Sequence, residues 1–454
     1  MTFRELIKET PPLRFVLENL QIQSAIGEKS LLSSHFMTNP KEIEAELNRV
    51  ATVKEWFFKT DKNLLVCDQI HEIRDFSGTL KRLKGGENLD DIDLFEIKRG
   101  AFTIQKIAQL LIESELTLLQ LIDLKPITDL LDPENTQIPH FYIYSVYDSR
   151  LAENRKRLEK LEKSEEKDQL FIETTLIEDQ VRIQLSQQLK EYSKSIESNL
   201  HQIALLDVWI AKAKLADLWD CCKPRVSSSQ TSYKNLFHPI TKSRLASENK
   251  KFQPINIDLY QTPTLITGAN MSGKTIFLKA IAFAQNMFQF GFFVPARDAE
   301  ICPVDEIYFS MGDQSSELTG LSSFAFEILE INEIIKEVKK GRKLLILVDE
   351  LARTTNPVEG TIIVNAFLEL MHQYPNFCIV TSHYSGVRAK CRRLRVKGLQ
   401  INDLNEKIDP KNIHQYMDYT LIEIWNEEVP QEALKIAQLL NIDEEFLQKA
   451  ESFK

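Results

Sequence analysis

Gly268-Ala269-Asn270-Met271-Ser272-Gly273-Lys274-Thr275 follows an apolar run, Thr262 to Thr267, and precedes an apolar helical stretch, Ile276 to Phe288. The octet has the form G-x-x-x-x-G-K-[ST], a loop that wraps phosphate. Its glycines let the backbone close so that N–H groups point at phosphate oxygens, and the helix behind the loop adds the positive end of its dipole. Lys274 is expected to reach the β- and γ-phosphates and Thr275 to ligate magnesium. The strand–loop–helix setting separates such a loop from an ordinary glycine turn. The expected ligands are ATP and Mg2+.

Two further strand ends carry chemistry. Lys343 to Val348 reads as a buried strand and is followed by Asp349-Glu350. An aspartate there holds magnesium through water, and the adjacent glutamate polarises the attacking water. Phe377 to Ser382 reads as another strand, ending in His383. A histidine at the carboxyl edge of such a sheet lies where it can sense or orient γ-phosphate charge. Lys274, Glu350 and His383 are therefore the expected catalytic residues, with Thr275 and Asp349 at the metal.

Composition sets outer bounds. The chain has 454 residues, 43% hydrophobic and 27% charged, with a net charge of −10. That length suits two or three domains. The charge argues against a general nucleic-acid binder, since no basic field surrounds the whole protein. The six cysteines (Cys67, Cys221, Cys222, Cys302, Cys378, Cys391) form no C-x-x-C pair. Reduced thiols and a cytoplasmic location are expected. Met1 to Glu5 lacks the apolar core of a signal peptide. No apolar run approaches the roughly 20 residues of a membrane span.

Periodicity orders the rest. Residues 1 to about 130 read as helical; after Asn39-Pro40, Ile43, Leu47, Val50, Val53 and Phe57 share one face. Phe141 to Tyr144 reads as a short strand or a packed turn. The charge-dense stretch 149–168 reads as a solvated helix with opposite charges at i,i+4. Val181, Leu185, Leu189, Tyr192, Ile196, Leu200, Ile203, Leu206 and Ile210 step by threes and fours, as a long amphipathic rod requires. No glycine or proline interrupts Ile177 to Cys222. From His238-Pro239 onward strands and helices alternate, the signature of a doubly wound α/β domain. Arg388, Lys390, Arg392, Arg393, Arg395 and Lys397 read as a solvated edge strand, with a phosphate-backbone contact as the functional alternative.

Taken together, Gly268 to Thr275, Asp349-Glu350-Leu351-Ala352-Arg353-Thr354-Thr355 and Thr381-Ser382-His383-Tyr384 resemble the ATPase domain of the MutS family. Gly291-Phe292-Phe293-Val294-Pro295-Ala296 is similar to the segment after the loop helix in that family, and Gly320 to Glu327 resembles its serine-containing signature. The resemblance implies that Ser322 and Ser323 contact nucleotide across a dimer interface, giving a homodimer with composite ATP sites, and that Glu350 is the hydrolytic base. It also implies the fold class: α + α/β, an N-terminal helical core and lever followed by a P-loop ATPase domain. The expected divisions are 1–130 core, 131–225 lever with a reduced clamp, 226–400 ATPase, and 401–454 a C-terminal helical segment packing on the ATPase or a dimer partner.

The chain departs from the mismatch-repair members. The core-like region starts within the first 30 residues, which implies a short form without mismatch-reading and connector domains. Ala352 and Thr354 replace a glycine-bearing form of the motif. A short form of this type resembles the reactivating ATPase encoded with cobalamin-dependent lysine aminomutases, in which the lever acts on an aminomutase and a small co-subunit. The alternative is a truncated homologue that binds duplex or branched DNA.

Overall fold

The computed structural model describes residues 1–138, 140–268, 273–310, 323–400, 415–425 and 442–453, with single positions at 434, 437 and 438. Its amino-terminal half is helical. Asn39 caps the helix Pro40–Lys59 by accepting from the Lys41 N–H at 3.0 Å, and Pro40 opens it, where its missing N–H costs nothing. The predicted face of this helix, Ile43, Leu47, Val50, Val53 and Phe57, is buried.

The longest element is the helix Glu165–Leu218, 54 residues in one piece. At a rise of 1.5 Å per residue it is about 80 Å long. It begins well before the expected rod. Ser164 caps it, and Glu165, Glu166 and Asp168 lie in its first turn, where carboxylates meet the positive end of the dipole. The charge-dense stretch is thus split between the helix Ser149–Lys160 and the start of the long one. The predicted stripe from Val181 to Ile210 is buried apart from Tyr192, which is half-buried. It packs against the helices Ala25–Ser33, Pro40–Lys59 and Ser77–Gly85. Phe141 to Tyr144 is a packed turn and not a strand. The Tyr144 hydroxyl donates to Asp132 at 2.7 Å and accepts from the buried Lys98 at 3.1 Å.

Among the described residues ten strands follow: β1 (Arg225–Val226), β2 (Thr231–Leu236), β3 (Ile255–Leu259), β4 (Thr264–Thr267), β5 (Asp298–Ile301), β6 (Glu306–Ser310), β7 (Leu344–Val348), β8 (Phe377–Ser382), β9 (Arg392–Leu399) and β10 (Met417–Glu423). They form a six-stranded sheet in the order β10-β9-β4-β8-β7-β6 and a smaller one in the order β1-β5-β2-β3. In the larger sheet every pairing is parallel except β10 with β9. Alternation along β4 sends Ile266 into the core shared with the helix Lys274–Gln289, and Leu265 into a second core with the helices Ser323–Lys339 and Pro357–His372. Both faces are covered, as a parallel sheet requires. The architecture is mixed helical and α/β.

Two expectations need correction. The basic stretch is a strand, but β9 lies inside the sheet between β4 and β10 and is no edge. Two of its charges are paired with β10: Arg392 with Glu423 at 3.2 Å and Lys397 with Asp418 at 2.8 Å. The carboxyl-terminal segment, expected to be helical, is mixed among its described residues: alternating Met417, Tyr419 and Leu421 form the strand β10, and Glu444–Glu451 is a helix.

The junction between the small sheet and the loop helix contains a titration probe. His238 caps the helix Pro239–Ser247 and packs against Phe283 with ring centroids 5.5 Å apart. Burial, with Lys279 nearby, pushes its pKa down to about 4. The folded chain therefore binds this proton more weakly than the unfolded one. The resulting stability is whole above about pH 6.5 and is lost as pH falls towards 4, by about 3 kcal/mol at most. His238→Asn keeps a capping oxygen and removes the titration. Denaturant melts from pH 7 to 4 should show a shallower acid loss in the variant; parallel curves would contradict the assignment.

Candidate functional site

The strand order brings the carboxyl ends of β4, β8 and β7 side by side. Thr267 pairs with Ser382, and Val348 with Val380. Residues far apart in sequence meet at that edge. Gly273 precedes the helix Lys274–Gln289 with φ 78°, a left-handed conformation that suits glycine. A Cβ there would also lie 3.1 Å from the Tyr419 ring. Lys274, the first helical residue, is 5% exposed; its ammonium donates to the Gly268 carbonyl at 2.8 Å and lies 3.8 Å from the Glu350 carboxylate. Burial lowers its pKa, and Glu350 and Asp349 oppose that shift.

Asp349 is gripped on both oxygens. The Thr275 hydroxyl donates to one at 2.5 Å and the Thr381 hydroxyl to the other at 2.7 Å. The Thr381 oxygen in turn accepts the Glu350 N–H at 2.8 Å. One threonine on β8 thus fixes both carboxylate residues at the end of β7. The Asp349 N–H donates to the Ser310 carbonyl at the end of β6, at 2.9 Å.

The chain then makes an unusual turn. Glu350 has φ 53° and Ala352 φ 62°, conformations that cost a residue with a Cβ about 1 kcal/mol or more. Surrounding contacts hold the turn in place. The buried Glu327 carboxylate accepts the Ala352 N–H at 2.8 Å, and the Tyr384 hydroxyl donates to the Ala352 carbonyl at 2.6 Å. Ala352 therefore adopts a conformation that suits glycine. The turn leaves the Glu350 side chain 18% exposed, with Arg353 at 3.6 Å on its far oxygen.

Four of the expected residues, Lys274, Thr275, Asp349 and Glu350, are brought together. His383 follows β8 and is exposed, its ring 4.6 Å from that of Tyr384. Among the described residues its ring makes no hydrogen bond to those four. Ser323 opens the helix Ser323–Lys339. Ala269, Asn270, Met271, Ser272 and Ser322 lie outside the described residues. Thr381, Glu327 and Tyr384 lie within the quoted motifs but received no role of their own, although the polar Thr381-Ser382 pair closing an apolar strand signalled a strand end with work to do.

A cavity of about 160 Å³ adjoins the loop helix, with Gly273, Lys274, Phe277, Phe252, Ile266 and Tyr419 among its walls. Its mainly apolar lining suits a planar heterocycle placed next to the phosphate side of Lys274. Thr275 and Asp349 supply a hydroxyl and a carboxylate in contact. Magnesium takes few protein oxygens and completes its shell with phosphate and water, so this pair fits that ion. No group of three or more His, Cys, Asp or Glu able to hold a metal exists among the described residues.

Residues 264–454 match the family model described as MutS domain V. The matches below carry the relationship further. The chain is 30% identical over 276 residues to Endonuclease MutS2 of Carboxydothermus hydrogenoformans, covering 58% of this chain and 33% of that protein. It is 29% identical over 282 residues to human DNA mismatch repair protein Msh3, covering 58% and 24%, and 29% identical over 207 residues to Thermus aquaticus DNA mismatch repair protein MutS, covering 46% and 24%. These findings show that the chain is similar to proteins of the MutS family. The MutS domain V match opens at Thr264, the first residue of β4, and so contains the loop, the Asp349-Glu350 pair and Thr381. The alignment to the MutS2 protein covers more of the chain than domain V occupies and thus extends outside it. The aligned region spans a third or less of the length of these MutS relatives.

Thr381→Val keeps the volume and removes the hydroxyl that joins Asp349 to Glu350. It leaves one carboxylate oxygen and one N–H without that partner, which costs about 1–3 kcal/mol. A melting temperature within a degree of the parent would refute the bridging role.

Proposed function

We propose that the chain is an ATP-hydrolysing switch whose nucleotide site drives a helical arm. The convergence of Lys274, Thr275, Asp349 and Glu350 on one sheet edge, under the single hydroxyl of Thr381, carries this reading. The MutS relatives support it through their domain V. In this reading the loop 268–275 encloses the phosphates, and Lys274 exchanges the Gly268 carbonyl and Glu350 for phosphate oxygens. Thr275 and Asp349 would hold magnesium, which when bound supplies positive charge against that developing on the phosphoryl oxygens. Glu350 orients the attacking water and takes its proton. His383 senses charge at the same edge. Ser322 and Ser323 complete the site of a second copy, making the working unit a homodimer.

The proposed divisions are a helical core over 1–130, the arm over 131–225, the ATPase over 226–400 and a terminal segment over 401–454 that adds β10 to the ATPase sheet. All six cysteines are free thiols, in keeping with a reducing compartment such as the cytoplasm. Among the described residues no helix is long and apolar enough to cross a membrane. The arm's proposed target is a protein. The net charge of −10 and the internal pairing of Arg392 and Lys397 both weigh against a phosphate backbone. An aminomutase with a small co-subunit is the target that the short form's resemblance suggests; the relatives' names give it no support. Those names, endonuclease and mismatch repair protein, favour DNA as the second reading.

Lys274→Ala should abolish ATP turnover. Glu350→Gln should still bind ATP while hydrolysis falls by about a hundredfold or more; unchanged turnover would remove Glu350 as base. Alanine at both Ser322 and Ser323 should lower turnover in a manner that depends on protein concentration. Duplex DNA binding that weakens by about a thousandfold or more between 50 and 200 mM salt would replace the protein target with DNA; no binding at low salt would retain it.

A further inference from the structure

The helix Lys274–Gln289 has two ends, and the phosphate chemistry uses only one. At the other end Gly291, at φ 70°, closes a Schellman turn: Phe292 N–H donates to the Met287 carbonyl at 2.9 Å and Gly291 N–H to that of Phe288 at 3.0 Å. The Phe290 carbonyl is left pointing away from the helix. It accepts the ammonium of Lys212, from the long helix, at 2.8 Å. The same ammonium bonds Glu46 at 2.8 Å, from the helix Pro40–Lys59, and lies 4.8 Å from the centre of the Phe292 ring. Trp209, one turn before Lys212, donates to the same Glu46 oxygen at 2.9 Å. A Cβ on Gly291 would lie 2.3 Å from Glu46 Cγ, so only glycine permits this approach.

Lys212 is 4% exposed. An ammonium buried this deeply is a poor stabiliser, because desolvation offsets most of the attraction and apolar residues would serve as well. What it offers is a fixed register. Apolar surfaces can slide past one another, whereas a lysine on one helix-terminal carbonyl has a single place to sit, at the end where the dipole favours a cation.

We propose that Lys212 is the positioning residue through which the loop helix moves the arm, an inference that rests on the ATP-switch reading above. Phosphate entering at Lys274 shifts a rigid 16-residue helix, and the Phe290 carbonyl at its far end carries Lys212 with it. The helices packed along the long helix turn with it as one body. From Lys212 to Glu165 the long helix runs about 70 Å, so a tilt of about 5° at the lysine displaces the tip by about 6 Å.

Lys212→Met removes the hook while the Gln289 bonds to the Met37 backbone and the Phe3 contacts remain, so the interface itself survives. The test uses the full chain with Cys222 and Cys391, the two half-buried thiols, changed to serine and spin labels on L176C and V358C, both at exposed positions. Pulsed dipolar distances are measured with and without a non-hydrolysable ATP analogue and Mg2+, and analogue affinity is measured separately. The parent should shift by several ångströms. Lys212→Met should bind the analogue within about threefold of the parent yet lose most of the shift, and Lys212→Arg should restore it. A full shift in Lys212→Met, or no rescue by arginine, overturns the inference and leaves the switch reading intact. A parent that binds the analogue without any shift overturns both. If Lys212→Met does not fold, the double variant Lys212→Met with Glu46→Gln, which removes the hook and leaves no carboxylate unpaired, takes its place under the same criteria.

Discussion

The Asp349 carboxylate, held between the hydroxyls of Thr275 and Thr381, is the contact on which the site's geometry depends. It joins the loop helix, β7 and β8 at one point. Without it those three elements share only the parallel ladder, which sets strand spacing but does not aim side chains at a common centre. With it, the Glu350 backbone is fixed through the same threonine, and the side chain of Glu350 faces Lys274. The two carboxylates therefore have different tasks because one is saturated with donors and the other is left partly open.

That arrangement opposes local preference at three positions. Glu350 and Ala352 sit in left-handed conformations, and Lys274 is buried beyond what a lysine favours. Each is held by named partners: Glu327 and Tyr384 for the turn, the Gly268 carbonyl and Glu350 for the ammonium. Strain confined to one sheet edge and compensated from three elements is how a preorganised site differs from an ordinary strand end.

Much of this was legible in the residues. The loop pattern, the apolar runs before Asp349 and His383, and the stepped stripe from Val181 to Ile210 each state their element type, because period and flanking chemistry are local properties. Thr381, Glu327 and Tyr384 were not legible as partners. Their roles depend on which strands become neighbours, and nothing in a single strand names its neighbour. The basic stretch was misread as an edge for the same reason: alternating charge fits an edge strand, but here β10 lies alongside, and its Glu423 and Asp418 pair with Arg392 and Lys397. The long helix ran further than expected because Ser164 and three acidic residues make a start signal out of what looked like a solvated charge cluster.

The order of the larger sheet also has a consequence for biosynthesis. β4 is made only after the helical half, yet both its neighbours, β8 and β9, are encoded more than a hundred residues further on, and β10 closes the ladder later still. The nascent chain must therefore carry an unpaired apolar strand while those residues are added, at a stage when the helical half can already pack. Such a chain is exposed to misassembly in that interval, and its dependence on chaperones should lie with the second half of the protein.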